Sequence, residues 1–274
     1  MSKAEDITRK AKSNLAFALV CLPKERKQDM VSFYAFCRII DDLADDLDVP
    51  LEKRQQGLTE WRDGITNGFD NPDEIQRDIT AIIEKYSIPE ELFTGLIDGC
   101  ASDLKPQRFG TWDDLKEYTY RVACCVGIIS TYIFGCTHSD SKTYAVALGH
   151  ALQLTNIMRD VEEDLRNGGR IYLPLSDMAR FQYTERDLIG HVHDSRFIAM
   201  MTWHADRAEA LYQEAIDSIH PDDITALKAA EAMRKIYHGV LTKMRADNFQ
   251  VFKKRYSLSK ARKAAILLST LTKG

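Results

Sequence analysis

The amino-acid sequence predicts an all-α protein, and three observations support this fold class. Apolar residues recur at helical spacing through most of the chain, whereas the alternating pattern typical of strands is scarce. Pairs of turn-forming residues such as Asn67-Gly68 and His220-Pro221 divide the chain into segments of helical length. Start signals for helices, a Ser or Thr followed three residues later by an acid, occur at Ser87/Glu90, Thr111/Asp114 and Thr184/Asp187. We therefore expect roughly eight to ten helices joined by short loops, in one domain that spans residues 1–274.

The composition fits a globular protein with a large core and disfavours two other classes. The 274 residues are 45% hydrophobic, and 37 basic against 41 acidic residues give a net charge of −4. A protein that binds nucleic acid would normally carry a basic excess, so we expect no such partner. The longest nearly apolar run, residues 122–136, contains Gly127, Ser130 and Thr131. It is shorter than the ~18 residues that a membrane-spanning helix needs.

The six cysteines contain no CxxC pair, which disfavours a zinc site or a disulfide framework and favours a reducing compartment. The first residues, MSKAEDITRKAKSN, lack the apolar core of a signal peptide. We therefore expect a cytoplasmic protein, with peripheral contact to a membrane surface as an open alternative.

The first segment with unusual chemistry is YAFCRIIDDLADD, residues 34–46. Helical spacing puts Tyr34, Arg38 and Asp41 on one side, and Asp45 follows Asp41 by one turn. Acids at the C-terminal end of a helix oppose the helix dipole, and like charges one turn apart repel each other. A bound cation would offset both effects. For Arg38, an ordinary salt bridge within the helix is the alternative.

The segment 118–135, YTYRVACCVGIISTYIFG, has small residues among apolar ones at Ala123, Cys124, Gly127 and Ser130. This pattern predicts either a close contact between two helices or a low wall that leaves room for a long apolar cavity. The sequence leaves both interpretations open.

The segment 152–174, LQLTNIMRDVEEDLRNGGRIYLP, contains the second acidic pattern. Read as one helix, it places four polar side chains on a single stripe: Gln153, Asn156, Asp160 and Asp164. Amide and carboxylate oxygens directed toward a protein interior favour a bound cation. The pair Gly168-Gly169 then gives a flexible joint. Arg170 and Tyr172 either fold over the acids or belong to a surface loop.

A basic stretch follows near the C-terminus, at Lys253, Lys254, Arg255, Lys260, Arg262 and Lys263. It fits a solvated face, a contact with a membrane surface or a source of counter-charge for an anion near the acids. Arg255 is our candidate for the last role.

Two acidic helices that face each other would form a cage for Mg²⁺, which prefers oxygen ligands and binds through a few carboxylates together with substrate phosphates. Arginines and lysines around such a cage indicate a diphosphate substrate. Departure of that group from an allylic carbon would leave a carbocation, whose fate a dry apolar pocket would control. These residue types do not define the substrate.

The segments 34–46 and 152–174 resemble the two Asp-rich signatures of the squalene/phytoene synthase family, and the similarity runs from about Ser13 to Lys263. The resemblance implies an all-α isoprenoid-synthase fold with helices around a central apolar cavity. It also implies head-to-head (1′-1) condensation of two prenyl diphosphates through a cyclopropyl diphosphate.

The resemblance further implies roles for individual residues. Ligands of roughly two or three Mg²⁺ ions would be Asp41, Asp45, Asn156, Asp160 and Asp164. Contacts with diphosphate or its metal shell would come from Ser13, Tyr34, Arg38, Gln153, Arg159 and Tyr237. Tyr120 would lie near the reacting carbons, and Arg170, Tyr172 and Arg255 would close the site. The chain departs from the family pattern at Asn14, where relatives usually carry Phe, and at Cys124, where many relatives carry Gly. We expect the Cys124 side chain to narrow the cavity slightly.

The compact chain resembles bacterial members of the family, so we expect farnesyl diphosphate as substrate and presqualene diphosphate or squalene as product. Phytoene synthesis from geranylgeranyl diphosphate is the alternative. A non-catalytic assembly factor of the same fold is disfavoured, since all four motif acids, Asp41, Asp45, Asp160 and Asp164, are retained. The sequence does not indicate an NADPH site, and it leaves the NADPH requirement, the prenyl chain length and the oligomeric state open.

Overall fold

The computed structural model describes residues 2–10 and 19–272, and within these ranges it contains helices and turns but no strand. The all-α prediction is confirmed. The helices are α1 (Lys3–Lys10), α2 (Lys24–Asp45), α3 (Leu51–Asn67), α4 (Glu74–Tyr86), α5 (Glu90–Ser102), α6 (Trp112–Thr119), α7 (Cys125–Phe134), α8 (Asp140–Arg159), α9 (Val161–Arg166), α10 (Leu175–Arg180), α11 (Glu185–Ile189), α12 (Ser195–Asp217), α13 (Lys228–Ala246) and α14 (Lys260–Thr272). A π-helical turn, Tyr120–Cys124, joins α6 to α7, and 3₁₀ turns occur at Leu19–Cys21 and Pro221–Asp223.

The described residues thus form 14 α-helices, more than the sequence predicts. Several of the additional helices have only one or two turns, which periodicity cannot resolve. One predicted helix is also split, because the segment after Leu152 bends at Asp160 (φ −102°, ψ 13°) between α8 and α9. The single-domain organisation remains a prediction.

Two of the three predicted helix starts are confirmed. The side chains of Thr111 and Thr184 accept hydrogen bonds from the backbone of the first turns of α6 and α11, and both form complete capping boxes. The third is wrong, because Ser87 ends α4 in a left-handed conformation and Pro89 occupies the position before α5. A further capping box starts α4, and it lies outside the predicted pattern because it pairs Asp73 with Gln76 instead of a Ser or Thr with an acid.

The apolar core consists of two clusters on either side of a central space. One is built mainly from buried residues of α2 to α5 and α7, and the other from α8, α12 and α13. Val122, Cys136 and Ala230 pack against both clusters. Between them lies an apolar cavity of about 290 Å³, lined on opposite sides by residues such as Phe33 of α2 and Leu148 of α8. The predicted central apolar cavity is confirmed.

Both interpretations of the segment 118–135 hold, and Gly127 takes part in both. Ala123, Gly127 and Ser130 line the apolar cavity, as expected for a low wall. A Cβ at Gly127 would lie 2.9 Å from the carbonyl oxygen of Ala145, so α7 and α8 are also in close contact.

The expectation that Cys124 narrows the apolar cavity is wrong. It is fully buried, lines neither this cavity nor the polar one described below, and its Sγ donates to the Val146 carbonyl oxygen (3.2 Å). A Cβ at Gly149 of α8 would lie 2.8 Å from Cys124 Cα. Cys124 therefore faces α8 and does not narrow the cavity.

None of the helices in the described ranges combines the length and the apolar character needed to span a bilayer. This agrees with the expectation drawn from residues 122–136.

We predict that Gly149→Ala lowers the free energy of unfolding by about 1–3 kcal/mol, since the new methyl group would overlap backbone atoms of the neighbouring π turn. Denaturant unfolding followed by circular dichroism measures the change. Gly57→Ala is the matched control, because its Cβ would meet only the mobile tip of Leu43 at 2.9 Å. Removing a helical glycine there stabilises by about 0.5–1 kcal/mol. Equal effects of both substitutions would contradict the assigned contact.

Candidate active site

The two acidic stretches meet at one polar cavity of about 510 Å³. Asp41 and Asp45 reach it from the C-terminal end of α2. Asn156 reaches it from α8, Asp160 from the bend after α8, and Asp164 from α9. The sequence-based prediction that these two stretches face each other is confirmed.

The α2 side of the cavity combines acids with a guanidinium. Arg38 pairs through its two terminal nitrogens with Asp41 and Asp42, one turn away, and it also lines the cavity. The intrahelical salt bridge and the position at the site therefore coexist. Removal from bulk water, and then repulsion from Asp45, raise the pKa of Asp41 to about 6, although Arg38 opposes this rise. Tyr34, one turn before Arg38, also lines the cavity.

The opposite side is centred on Asp160, whose carboxylate accepts hydrogen bonds from two arginines. Arg159 Nε lies 2.9 Å and Arg255 Nε 2.8 Å from Asp160 Oδ1, and Arg255 Nε also lies 3.0 Å from Glu163 Oε2. Burial alone would raise the pKa of Asp160, but the hydrogen bonds from Arg159 and Arg255 hold it below its ordinary value. The basic stretch therefore reaches the cavity through Arg255, which here pairs with the acids; its predicted role as counter-charge for a bound anion remains a prediction.

The negative charge of Asp164, one turn further along, is offset less by nearby arginines than that of Asp160. Burial, and then the nearby charge of Asp160, raise the pKa of Asp164 to about 8, with Arg170 opposing the rise. In the metal-free protein this carboxyl group is therefore protonated over much of the neutral range.

The loop after α9 closes the cavity and is not a plain surface loop. Gly168 and Gly169 have positive φ values of 79° and 70°, which allow the tight reversal. Arg170, which is 7% exposed, then reaches back to α2 and pairs with Asp45 (Nη1 to Oδ1, 2.7 Å). Tyr172, in the same loop, is also buried and lines the cavity.

Asp103, just after α5, is a site residue that the sequence analysis missed. Its carboxylate accepts hydrogen bonds from Tyr118 (2.6 Å) and Tyr172 (3.0 Å), and its backbone carbonyl accepts one from Arg170 (3.1 Å). Burial raises the pKa of Asp103 to about 6, although the bond from Tyr118 opposes the rise. The only sequence signal was an acid before the break at Lys105-Pro106, which is typical of an ordinary turn.

The structure does not bring Tyr120 to the site. Tyr120 is 40% exposed and lines neither cavity, whereas Tyr118 is 8% exposed and lines the polar cavity beside Asp103. Residues two positions apart on a helix point in directions that differ by about 200°. Only one of these two tyrosines can therefore face inward. This placement does not agree with the expectation for Tyr120, and Tyr118 is the tyrosine of this segment that lines the polar cavity.

The remaining predicted contacts lie along the junction between the two cavities. Residues that line both are Tyr34, Cys37, Val122, Val126, Gln153 and Asn156. Tyr237 lines the apolar cavity, close enough to Arg159 to raise the pKa of that guanidinium, on which burial and then Asp160 act more strongly. Ser13 lies outside the described residues.

The residues present fit a magnesium site that is completed by substrate. Within the described ranges, no three His, Cys, Asp or Glu side chains converge on one point. Mg²⁺ does not require this, because it commonly binds one or two carboxylates together with phosphates and water. Asn156 Oδ1 supports the assignment, since it is a buried acceptor for which the described structure contains no hydrogen-bond donor.

Comparison with solved structures identifies the fold class. The chain aligns over 97% of its length with 93% of a dehydrosqualene synthase (TM-score 0.84, 29% identity). It also aligns over 90% of its length with 93% of a squalene synthase from Alicyclobacillus acidocaldarius (TM-score 0.78, 27% identity). The helices and the cavity between them therefore have the all-α fold of these synthases.

The sequence model of the squalene/phytoene synthase family matches residues 8–262, and the chain belongs to this family. It is 31% identical to a 15-cis-phytoene synthase of Synechococcus elongatus, over 92% of this chain and 86% of that protein. It is 33% identical to a presqualene diphosphate synthase of Rhodopseudomonas palustris, over 93% of this chain and 92% of that protein. Family membership places the protein among the head-to-head prenyl-transferring synthases.

We predict that the metal-free protein loses stability as pH rises from about 4 to about 8. The folded-state pKa of Asp164, about 8, lies above the ordinary value of 3.8, so the folded state holds a proton that the unfolded state releases. Thermal unfolding in a chelating buffer at several pH values measures this loss. Asp164→Asn should flatten the upper part of the profile, and an unchanged slope in this variant would contradict the assignment.

Proposed function

We propose that the protein catalyses the Mg²⁺-dependent head-to-head condensation of two farnesyl diphosphates to presqualene diphosphate or squalene. The observation that carries this proposal is that a polar cavity lined by acids and arginines adjoins an apolar cavity, with residues such as Gln153 and Asn156 lining both. This arrangement fits an amphiphilic substrate with a diphosphate at one end and a prenyl chain at the other. The structural similarity to a dehydrosqualene synthase and a squalene synthase supports the C30 product class.

Residues from both sides of the polar cavity would hold the metal: Asp41, Asp45, Asn156, Asp160 and Asp164. Mg²⁺, when bound there, neutralises charge on the diphosphate oxygens and makes the group easier to expel. The buried amide oxygen of Asn156 is a ligand suited to this ion. So are the carboxylates of Asp41 and Asp164, because a cation would offset the repulsion from neighbouring acids that each one experiences.

Guanidinium groups on both sides would bind the diphosphate oxygens directly: Arg38, Arg159, Arg170 and Arg255. Each already pairs with a carboxylate of the site, so each is held in place without substrate. Fixed cations of this kind stabilise the negative charge that grows on a leaving group, and they need little reorganisation.

The apolar cavity would bind the prenyl chain and exclude water from the carbocation. Its wall includes the aromatic rings of Phe33, Phe134 and Tyr144 and the small residues of the segment 118–135. Aromatic faces attract a cation, and a dry wall offers no nucleophile. Tyr118, held by Asp103 at the polar end, is the described hydroxyl group that we place nearest the reacting carbons.

Phytoene synthesis from geranylgeranyl diphosphate is a second candidate, favoured by the identity of about one third with proteins named phytoene synthase. The two functions differ only in prenyl chain length and in the fate of the cyclopropyl intermediate.

The test is to incubate the purified protein with each prenyl diphosphate, with and without Mg²⁺ and with and without NADPH, and to identify products by mass spectrometry. We expect C30 products from farnesyl diphosphate only when Mg²⁺ is present. Products from geranylgeranyl diphosphate alone would favour phytoene synthesis, and no pyrophosphate release from either substrate would support the assembly-factor alternative.

In the same assay, Asp41→Asn should lower turnover by about 10³-fold or more, because it removes a charged oxygen from the proposed metal site. Asp42→Asn is the matched control, since the adjacent Asp42 does not line the cavity and is 63% exposed. It should retain turnover within about tenfold. Similar losses in both variants would argue against the specific role of Asp41.

Tyr118→Phe should lower turnover by about tenfold to 10³-fold, since it removes the hydroxyl group that Asp103 orients at the polar end of the cavity. Tyr120→Phe, two residues away and outside both cavities, should behave like the unmodified protein. Steady-state kinetics on both variants, with circular dichroism to verify folding, makes the comparison. A larger defect in Tyr120→Phe would restore the role first expected for that residue.

A further inference from the structure

Helix α14 presents an apolar face to solvent. Its inner side packs on α13 through Leu267 and Thr270, which are at most 9% exposed. The outward face, here called the α14 patch, consists of Ala261, Ala264, Ala265, Leu268 and Leu271. Leu268 is 65% and Leu271 42% exposed. A surface helix normally directs polar residues outward, so this face indicates an apolar partner.

The charges on α14 indicate that the partner is also anionic. Lys260, Arg262 and Lys263 lie in its first turn, and the helix contains no acidic residue. Cations at the N-terminal end of a helix oppose the helix dipole. This arrangement weakens the isolated helix, and a negatively charged surface beside the first turn would compensate for it. Lys260 and Arg262 are both exposed.

Lys228, at the start of α13, joins the end of α14 to that helix, because its Nζ donates to the Leu271 carbonyl oxygen (3.4 Å). Two further exposed apolar residues lie in segments that adjoin α13. Val20 belongs to the 3₁₀ turn that contacts α13 and is 54% exposed. Ile224 lies in the turn four residues before Lys228 and is 45% exposed.

The helix on which α14 packs, α13, also forms part of the wall of the apolar cavity. Ala229, Ala230 and Met233 follow Lys228 on α13 and line that cavity. Since α14 packs on α13, one helix separates the α14 patch from the cavity. A product of about thirty carbons would be insoluble in water, so an exit beside a lipid phase would suit it.

We propose that the α14 patch, flanked by Lys260 and Arg262, docks the protein on an anionic lipid bilayer. Leucine side chains enter the acyl boundary while the cations contact lipid phosphates, as in amphipathic helices that lie in the membrane interface. The role of this contact in product release rests on the proposed function, but the docking itself does not require catalysis.

The experiment is flotation of the full chain, without substrate, with vesicles of phosphatidylcholine alone or of equal parts phosphatidylcholine and phosphatidylglycerol. We expect binding to the anionic vesicles, weakened by salt because charge contributes to it. Leu268→Ser should weaken binding by about tenfold, and Arg262→Glu should weaken it by about fivefold or more. Ile189→Ser, which changes a similarly exposed residue of α11 (60% exposed), is the matched control and should bind normally.

Absence of flotation, or equal binding of Leu268→Ser and the unmodified protein, would overturn the proposal. So would a dimer in light scattering that Leu268→Ser converts to a monomer, since a second copy would then cover the α14 patch. Leu268 lines neither cavity, so turnover with dispersed substrate should be unchanged in this variant. Failure of the proposed reaction would leave the flotation result unaffected, which keeps the two tests separate.

Discussion

Repulsion among carboxylates enclosed in one cavity is the constraint on which the arrangement of this protein depends. Asp41, Asp45, Asp103, Asp160 and Asp164 line the same space. Where two arginines donate hydrogen bonds, as at Asp160, the pKa of the carboxyl group falls. Where arginine charge offsets less, as at Asp41 and Asp164, burial and the neighbouring carboxylates raise it. The metal-free site therefore balances its charge with arginines and protons, and a divalent cation would take over part of that balance.

The same ion pairs also hold the fold together around the cavity. Arg170 connects the loop after α9 to Asp45 on α2 and to the backbone of Asp103 after α5. Tyr172 adds a bond to the Asp103 carboxylate, and Tyr118 adds another from the end of α6. Elements distant in sequence are thus joined at the site, so the groups proposed to orient a diphosphate are positioned by contacts among several helices.

The features that could be predicted from the sequence are those that local spacing determines. One helical turn separates Asp41 from Asp45, so their common direction follows from the chain itself. Asp103 could not be predicted, because its role depends on tyrosines that only the tertiary fold brings near. Cys124 and Tyr120 were misplaced for a related reason: periodicity defines the relative directions of residues on a helix, but the neighbouring helices decide which direction faces the cavity.

Under the proposed function, the division into a polar and an apolar cavity would largely separate the determinants of rate from those of substrate choice. Contacts between a prenyl chain and the apolar wall contribute about 0.8 kcal/mol for each buried methylene, and they are present equally before and during reaction. They therefore favour one chain length over another without lowering the barrier. In the proposed reaction, interactions that strengthen as diphosphate departs would come from the acids and arginines of the polar cavity and from aromatic rings beside the carbocation. Changes in the part of the wall that contacts the rest of the prenyl chain would then alter the product while the polar cavity is kept, and relatives are named for both phytoene and presqualene diphosphate within one family.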